Sequence, residues 1–149
     1  MANIGRIVEE ITTDPLGVGY STLSDGQVAA ALNVKTRGRA KAIESVEVKR
    51  YMFAQGLWLP VKESALASAE QARDALNTFA TFQVDDPDTA IAVEGVLDAL
   101  VADALISATD KEVIQAMGVE AISRAQELGI LTSERGVTPF NVHKARLRL

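Results

Sequence analysis

Signals that start and stop α-helices recur along this chain, and they constrain its fold more than any other feature. The clearest is Asp86 followed by Pro87, because a carboxylate caps the free amides of a helix start and proline fits the first helical turn. Ser24 and Gln27 have the spacing of a capping box, in which each side chain satisfies the other residue's backbone amide. Gly56 lies where a left-handed residue ends a helix. These signals divide the chain into many short helices.

Between those signals, apolar residues recur at helical spacing. Alanine, the strongest helix former, occurs 23 times in 149 residues, and no segment shows sustained apolar–polar alternation with β-branched enrichment. The sequence therefore predicts an all-α fold, a compact bundle of about seven to eight short helices, in a single domain spanning residues 1–149. The predicted helices cover approximately residues 3–11, 24–32, 45–55, 60–67, 68–80, 87–105, 107–117, 120–128 and 138–148. Residues 60–67 and 68–80 form either two helices or one rod.

For several of these helices the sequence predicts the capping residue or the core anchors. The residues predicted to cap helices are Ser45, Ser68, Ser107 and Thr138. Leu76, Phe79 and Phe82 are the expected core anchors of the helix over residues 68–80. The polar and basic residues that follow Leu32, as far as Ala42, are expected to form an irregular connection.

The composition excludes several kinds of active site. The chain has no cysteine, so it has no disulfide, thiolate metal site or cysteine nucleophile, and its one histidine, His143, cannot supply two imidazoles. Asp85, Asp86 and Asp88 lack the ligand spacing and the glycine of a calcium-binding loop, so we interpret them as a helix start. We therefore predict no catalytic residue, no metal and no cofactor, and a protein that is not an enzyme.

The sequence also lacks the pattern of a membrane or secreted protein. No stretch approaches the roughly 20 consecutive apolar residues that a membrane span needs. The first residues have no apolar run of the kind found in signal peptides. We expect a product of the cytoplasm that has no membrane partner.

A net charge of −5 hides an uneven distribution of charge. Residues 35–50 contain six basic residues against two acidic ones, whereas residues 63–134 contain fourteen acidic residues against three basic ones. Basic residues return at positions 144–148. This asymmetry suits head-to-tail packing of subunits or a surface that faces anions, and two solvated faces explain it equally well.

Two basic segments and one aromatic residue are the candidate partner-binding residues. Trp58 lies in an apolar run between two predicted helices, where it either fills the core or anchors a partner. The full set is Lys35, Arg37, Arg39, Lys41, Trp58, Lys144, Arg146 and Arg148.

Residues 27–41 offer a DNA-binding alternative. A short helix followed by basic residues has the order of a helix-turn-helix motif. However, Gly38 would lie in the first turn of the recognition helix, and the net negative charge opposes binding to phosphates. Duplex DNA is therefore a less favoured partner than protein.

Segments near both ends of the chain resemble the signature of a family of small tailed-bacteriophage proteins. The N-terminal half is Asp-Pro-Leu-Gly-Val-Gly-Tyr at residues 14–20, Leu-Ser-Asp at residues 23–25 and Ala-Ala-Ala-Leu-Asn at residues 29–33. The C-terminal half is Ser-Arg-Ala-Gln-Glu-Leu-Gly at residues 123–129 and Val-Thr-Pro-Phe-Asn-Val-His-Lys-Ala-Arg at residues 137–146. The resemblance spans most of the chain, apart from residues 44–81, and its segments carry no chemistry.

This resemblance implies a non-enzymatic structural protein of a phage particle, at the neck (head–tail connection), the tail or the capsid surface. Its partners would be other phage structural proteins and further copies of itself, as a homo-oligomer within the assembly. It would be made in the cytoplasm of the host bacterium and located in the virion. One alternative is an early-infection effector that binds a host or phage protein, and another is a DNA-binding regulator.

Overall fold

The chain folds into two units, each with its own core of buried apolar side chains. The computed structural model describes residues 2–130 and 136–149. Unit 1 contains the described residues of Met1–Arg39 and Ala121–Leu149, and unit 2 contains Ala40–Glu120. Unit 2 is therefore inserted in the sequence of unit 1.

Unit 1 consists of short helices around a core that includes a buried tyrosine. Its helical elements are α1 (Ile4–Thr13), a 3-10 turn (Tyr20–Thr22), α2 (Asp25–Asn33), α8 (Arg124–Glu127) and α9 (Pro139–Arg146). Helix α9 packs against α1 and α2. The largest fully buried side chains of this core are Ile7, Tyr20, Val28, Leu32, Ile130 and Val142.

Unit 2 contains the longest helix and a core drawn from all five of its helices. These helices are α3 (Ser45–Ala54), α4 (Trp58–Glu63), α5 (Ala67–Thr78), α6 (Pro87–Ala102) and α7 (Ala108–Ala116). The buried residues at its centre include Met52, Val61, Ala69, Leu76, Leu100 and Ile114. The ends of the unit meet, because the Lys41 amide donates to the Gly118 carbonyl at 2.9 Å.

Four short strands occur among the described residues, so the prediction of an all-α fold is correct only for the helical majority. Strand β1 (Arg37–Ala40) pairs with β4 (Val119–Ile122), and β2 (Ile43–Glu44) pairs antiparallel with β3 (Thr81–Phe82). The sequence does not reveal these strands, because each has two to four residues, which is too few for an apolar–polar alternation to be visible.

Strand β4 also overturns one predicted helix. Residues 120–128 were expected to be helical throughout, but residues 119–122 are strand and α8 begins only at Arg124. The helix starts there because Ser123 and Gln126 form a capping box. Gly129 follows it in the left-handed conformation with φ +63°, as predicted.

Most of the predicted caps are confirmed and two are wrong. Capping boxes form at Ser24, Ser107 and Thr138, and the Asp86 carboxylate accepts the Thr89 amide at 3.0 Å. Ser45 and Ser68 do not cap helices, because their hydroxyls donate elsewhere. The Ser45 hydroxyl bonds to the Phe79 carbonyl and the Ser68 hydroxyl to the Asp103 carboxylate, both at 2.5 Å.

Candidate functional site

Polar residues of the segments at 14–20 and 123–129 bond inside unit 1 to a buried carboxylate, that of Glu10. Glu10 on α1 is only 3% exposed, and Arg124 donates to it twice, Nε to Oε1 at 2.9 Å and Nη2 to Oε2 at 3.0 Å. The Tyr20 hydroxyl lies 3.3 Å from the same carboxylate. Because a forked arginine fixes the carboxylate that it binds, residues 14–20 and 123–129 are held together at Glu10.

A second carboxylate extends this network toward solvent. Glu127 accepts Nη1 of Arg124 at 2.9 Å, and it accepts Nε and Nη2 of Arg37 at 2.9 and 3.1 Å. Hydrogen bonds from Arg37 and Arg124 lower the pKa of Glu127 to about 2. Burial, reinforced by the charge of Glu10, raises the pKa of Tyr20 to about 12. Neither Glu127 nor Tyr20 therefore titrates near neutral pH, as a general acid or base would need to.

Residues 23–33 and 137–146 are joined by two further sets of hydrogen bonds. Asn33 pairs with the backbone of Val137, its amide donating to the carbonyl and its oxygen accepting the N–H, each at 2.7 Å. Arg146 donates to the Asp25 carboxylate at 2.6 Å and to two backbone carbonyls of residues 20 and 23. All these segments therefore have a structural role in unit 1.

The turn over residues 14–20 is held by one aspartate. Its carboxylate accepts the backbone amides of Val18 and Gly19, each at 2.7 Å from Asp14. Gly17 and Gly19 have φ of +63° and +79°, a conformation that side chains disfavour. The segment Asp-Pro-Leu-Gly-Val-Gly-Tyr is thus explained by turn geometry.

The structure divides the predicted basic residues into two groups. Arg37 and Arg146 are engaged inside unit 1, with Glu127 and Asp25 respectively. The others are exposed at the surface: Lys35, Arg39, Lys41, Lys144 and Arg148. Of these, Lys35, Lys41, Lys144 and Arg148 are the candidates for contact with a partner.

Trp58 has a mixed environment. It is the first residue of α4, is half-buried and packs against the core of unit 2. The Lys49 ammonium lies 5.8 Å from the centre of its ring, a cation–π contact. Trp58 is therefore chiefly a packing residue with one exposed edge.

The structure does not place a recognition helix after α2. The residues that would form that helix are strand β1, and the next helix, α3, begins at Ser45. The helix-turn-helix interpretation of residues 27–41 is therefore wrong.

Unit 2 contains a feature that the sequence did not reveal, an open and mainly apolar groove of about 970 Å³. Helices α5 and α6 line it on either side, and the core residues Met52, Leu97 and Ile114 are among its lining. Phe79 and Phe82, in edge-to-face contact with ring centres 6.0 Å apart, also line it. Phe79 is 56% exposed, so it is not the core anchor that its spacing predicted.

Small residues keep the groove open. They are Ala72 and Ala75 on α5 and Ala92 and Gly95 on α6. A Cβ added at Gly95 would meet no atom within 4 Å. In the sequence these residues indicated only helix propensity, because nothing in a single segment shows that α5 and α6 face a common space.

The charged residues that line the groove are acidic. Asp74 and Asp88 are exposed, and neither forms an ion pair with a described residue. No basic residue occurs among the described residues of the lining. Such a groove can take an elongated apolar ligand or the apolar face of a helix, and its charge favours a basic partner.

Two further kinds of site do not occur in residues 2–130 and 136–149. No group of three or more His, Cys, Asp or Glu side chains within those ranges is placed to hold a metal ion. No helix there has the length and apolarity needed to cross a membrane.

Comparison of the chain with protein families, with curated proteins and with solved structures found no match. The groove and the exposed basic residues are thus the features on which a function can be argued.

Proposed function

We propose that this protein is a non-enzymatic structural protein of a tailed-bacteriophage particle, at the neck, the tail or the capsid surface, and that it acts through protein–protein contacts. The phage setting is supported by the sequence segments at residues 14–33 and 123–146. The contact role is supported by the groove in unit 2.

The groove is the observation that carries the proposal. A monomer gains stability by burying apolar side chains. In this unit, however, Phe79 at the end of α5 is 56% exposed and Ile91 on α6 is 68% exposed. Both helices line an open apolar groove. An open apolar groove with an exposed aromatic side chain in its lining is typical of an interaction site. Burial by a partner would stabilise a complex by about 25 cal/mol per Å² of apolar surface removed from water.

The experiment is mass spectrometry of gradient-purified particles of the encoding phage, with copy number measured against the major capsid protein. A stoichiometric signal at the copy number of a ring or a capsid lattice is expected. The control is a set of abundant host proteins, whose signal falls with each gradient while that of a particle component is constant. Absence from clean particles would overturn the proposal.

A further inference from the structure

We infer that the groove of unit 2 binds the outer face of α9 from a second copy of this chain. The inference rests on the proposed assembly role, and it names the contact that would build the assembly. Each copy would offer one groove and one α9, so the contact joins two different surfaces: made reciprocally by two copies it closes a two-fold dimer, and made head to tail it is heterologous. Such contacts generate a ring when the rotation closes and a filament when it does not.

The outer face of α9 combines apolar and basic side chains. Phe140, Lys144 and Leu147 lie at positions i, i+4 and i+7, which places them on one side of the helix. Phe140 is 62% and Leu147 is 74% exposed, whereas Val142 and Ala145 on the opposite side are fully buried in unit 1. The helix is thus anchored by one face and presents the other to solvent.

The same face carries positive charge that no described acidic residue neutralises. The Lys144 ammonium lies 4.7 Å from the centre of the Phe140 ring, and Arg148 is exposed in the turn that follows the helix. Neither Lys144 nor Arg148 forms an ion pair with a described residue. Leu149, 66% exposed, adds a third apolar side chain.

The groove and this face complement each other in chemistry and size. The apolar lining would receive Phe140 and Leu147, while Asp74 and Asp88 would meet Lys144 and Arg148. Phe140 and Leu147, the residue that caps the end of α9, are about 10 Å apart along the helix axis, which is shorter than either of the two helices of 12 and 16 residues that line the groove. Opposite charges at the rim would fix the direction in which the helix lies.

A competing surface exists on α3 and is less suitable. Val46, Arg50 and Phe53 also lie at i, i+4 and i+7 and are exposed. Of the two basic residues on this side of α3, Lys49 donates to Asn77 and lies over the Trp58 ring, which leaves Arg50 to meet two aspartates. The α9 face with its following turn offers both Lys144 and Arg148. Arg50 therefore provides a matched control for charge reversal.

A second copy is the occupant because its α9 face supplies both the apolar side chains and the positive charge that suit an apolar groove lined by two aspartates. Phe140 and Leu147 are exposed on unit 1, and Phe79 is exposed on unit 2.

The first experiment measures the oligomeric state of the full chain by analytical ultracentrifugation over a range of concentrations and salt. We expect self-association that weakens as salt rises, because exposed charges are screened. Reversing Lys144 and Arg148 to glutamate should weaken association by at least about tenfold, and so should reversing Asp74 and Asp88 to lysine. The matched control, Arg50→Glu, should leave the dissociation constant unchanged.

The two sets of reversals are then combined in one chain. If the charges meet across the contact, the fourfold variant Asp74→Lys, Asp88→Lys, Lys144→Glu and Arg148→Glu should recover the association that either pair alone weakens. A chain that stays monomeric at all concentrations would overturn the inference. Association that neither pair of reversals weakens, or that only Arg50→Glu weakens, would also overturn it.

Cross-linking tests the geometry directly and does not depend on charge. The chain has no cysteine, so any disulfide that forms must join two introduced cysteines. Gly95→Cys and Leu147→Cys, made in separate copies and mixed, should form an intermolecular disulfide in mild oxidant. Ala65→Cys, exposed outside the groove, should not cross-link to Leu147→Cys. Equal cross-linking at residues 65 and 95 would overturn the contact.

The outcomes separate this inference from the proposed function. A monomeric chain that is nevertheless stoichiometric in particles would reject self-association through α9 and retain the structural role. A chain that associates through α9 but is absent from particles would retain the contact and reject the phage-particle role.

Discussion

Glu10 is the residue whose surroundings most limit what can replace it. It is buried, and its carboxylate is the partner of the Arg124 fork. Replacing it by glutamine keeps the shape but leaves a largely buried guanidinium with Glu127 alone, so we expect Glu10→Gln to lower the free energy of unfolding by about 2–3 kcal/mol. Urea denaturation followed by circular dichroism measures this change.

Its neighbour on the same helix provides the control. Glu9 is 64% exposed and pairs with Arg6 at 3.5 Å on the surface. An exposed ion pair contributes little to the free energy of unfolding, so Glu9→Gln should change it by less than about 0.5 kcal/mol. Equal effects of the two substitutions would show that the buried fork does not stabilise unit 1.

The shifted pKa values of unit 1 predict how stability changes with acid. The pKa of Glu127 is about 2 in the folded protein against 4.5 as its ordinary value, so folding favours the ionised form. The contribution of Glu127 to the free energy of unfolding is therefore present above about pH 4.5 and is lost as pH falls toward 2. In thermal unfolding measured between pH 2 and 6, Glu127→Gln should show a shallower loss of stability than the original chain.

At alkaline pH the prediction has the opposite sign. The pKa of Tyr20 is raised from 10.0 to about 12, so folding favours the neutral phenol. Its contribution is complete below about pH 10 and disappears as pH rises toward 12. Tyr20→Phe should flatten this alkaline decline, and an unchanged decline would contradict the assignment.

At the scale of the element, two glycines in unit 2 should respond to alanine in opposite ways. Gly95 lies inside α6, where an added Cβ meets nothing, so Gly95→Ala should stabilise by about 0.5–1 kcal/mol by removing backbone freedom from the unfolded chain. A Cβ at Gly118 would lie 2.8 Å from Val84 Cγ2 and 3.1 Å from Ile43 Cγ1. Gly118→Ala should therefore destabilise by about 1–3 kcal/mol.

Calorimetric melting of the two glycine variants tests this contrast. The melting temperature should rise for Gly95→Ala and fall for Gly118→Ala. Destabilisation at both positions would mean that the space beside Gly95 is filled in solution.

Elements whose ends are set by local chemistry could be predicted from the sequence. The starts of α2, α6, α7 and α9 depend on a side chain within three residues of the amide that it caps, so spacing reveals them. Ser45 and Ser68 have the same local pattern, but their hydroxyls bond to residues more than 30 positions away. No local pattern distinguishes these two cases.

The candidate site could not be predicted because it depends on how helices are placed side by side. Ala75 and Gly95 are twenty residues apart and carry no polar group, so their common groove exists only in three dimensions. The sequence shows that α9 carries basic residues. It does not show that Lys144 is exposed whereas Arg146 is paired with Asp25, because that difference depends on residues far away in the sequence.

At the scale of the whole molecule, unit 2 should fold by itself. It has its own core, and its two ends are joined by the bond between Lys41 and Gly118, so residues 40–120 can be cut out without separating core residues. We expect this fragment to be helical and to unfold cooperatively, as measured by circular dichroism against urea.

A shorter fragment serves as the control. Residues 60–120 lack α3 and with it Met52 and Val48 of the core, so they should not unfold cooperatively. If the fragment over residues 40–120 is itself unfolded, the chain behaves as one domain over residues 1–149, as its sequence predicts.

The division of unit 1 between two distant parts of the chain has a consequence for biosynthesis. A ribosome that adds about 5–20 amino acids per second needs several seconds to pass from Tyr20 to Arg124. During that time the α1 segment has emerged, but its apolar residues Ile7 and Ile11 are not yet covered. Glu10 also lacks its partner, because Arg124 has not yet been synthesised. Translation therefore completes the inserted unit first, and the N-terminal segment is the part of the nascent chain that a chaperone would have to protect.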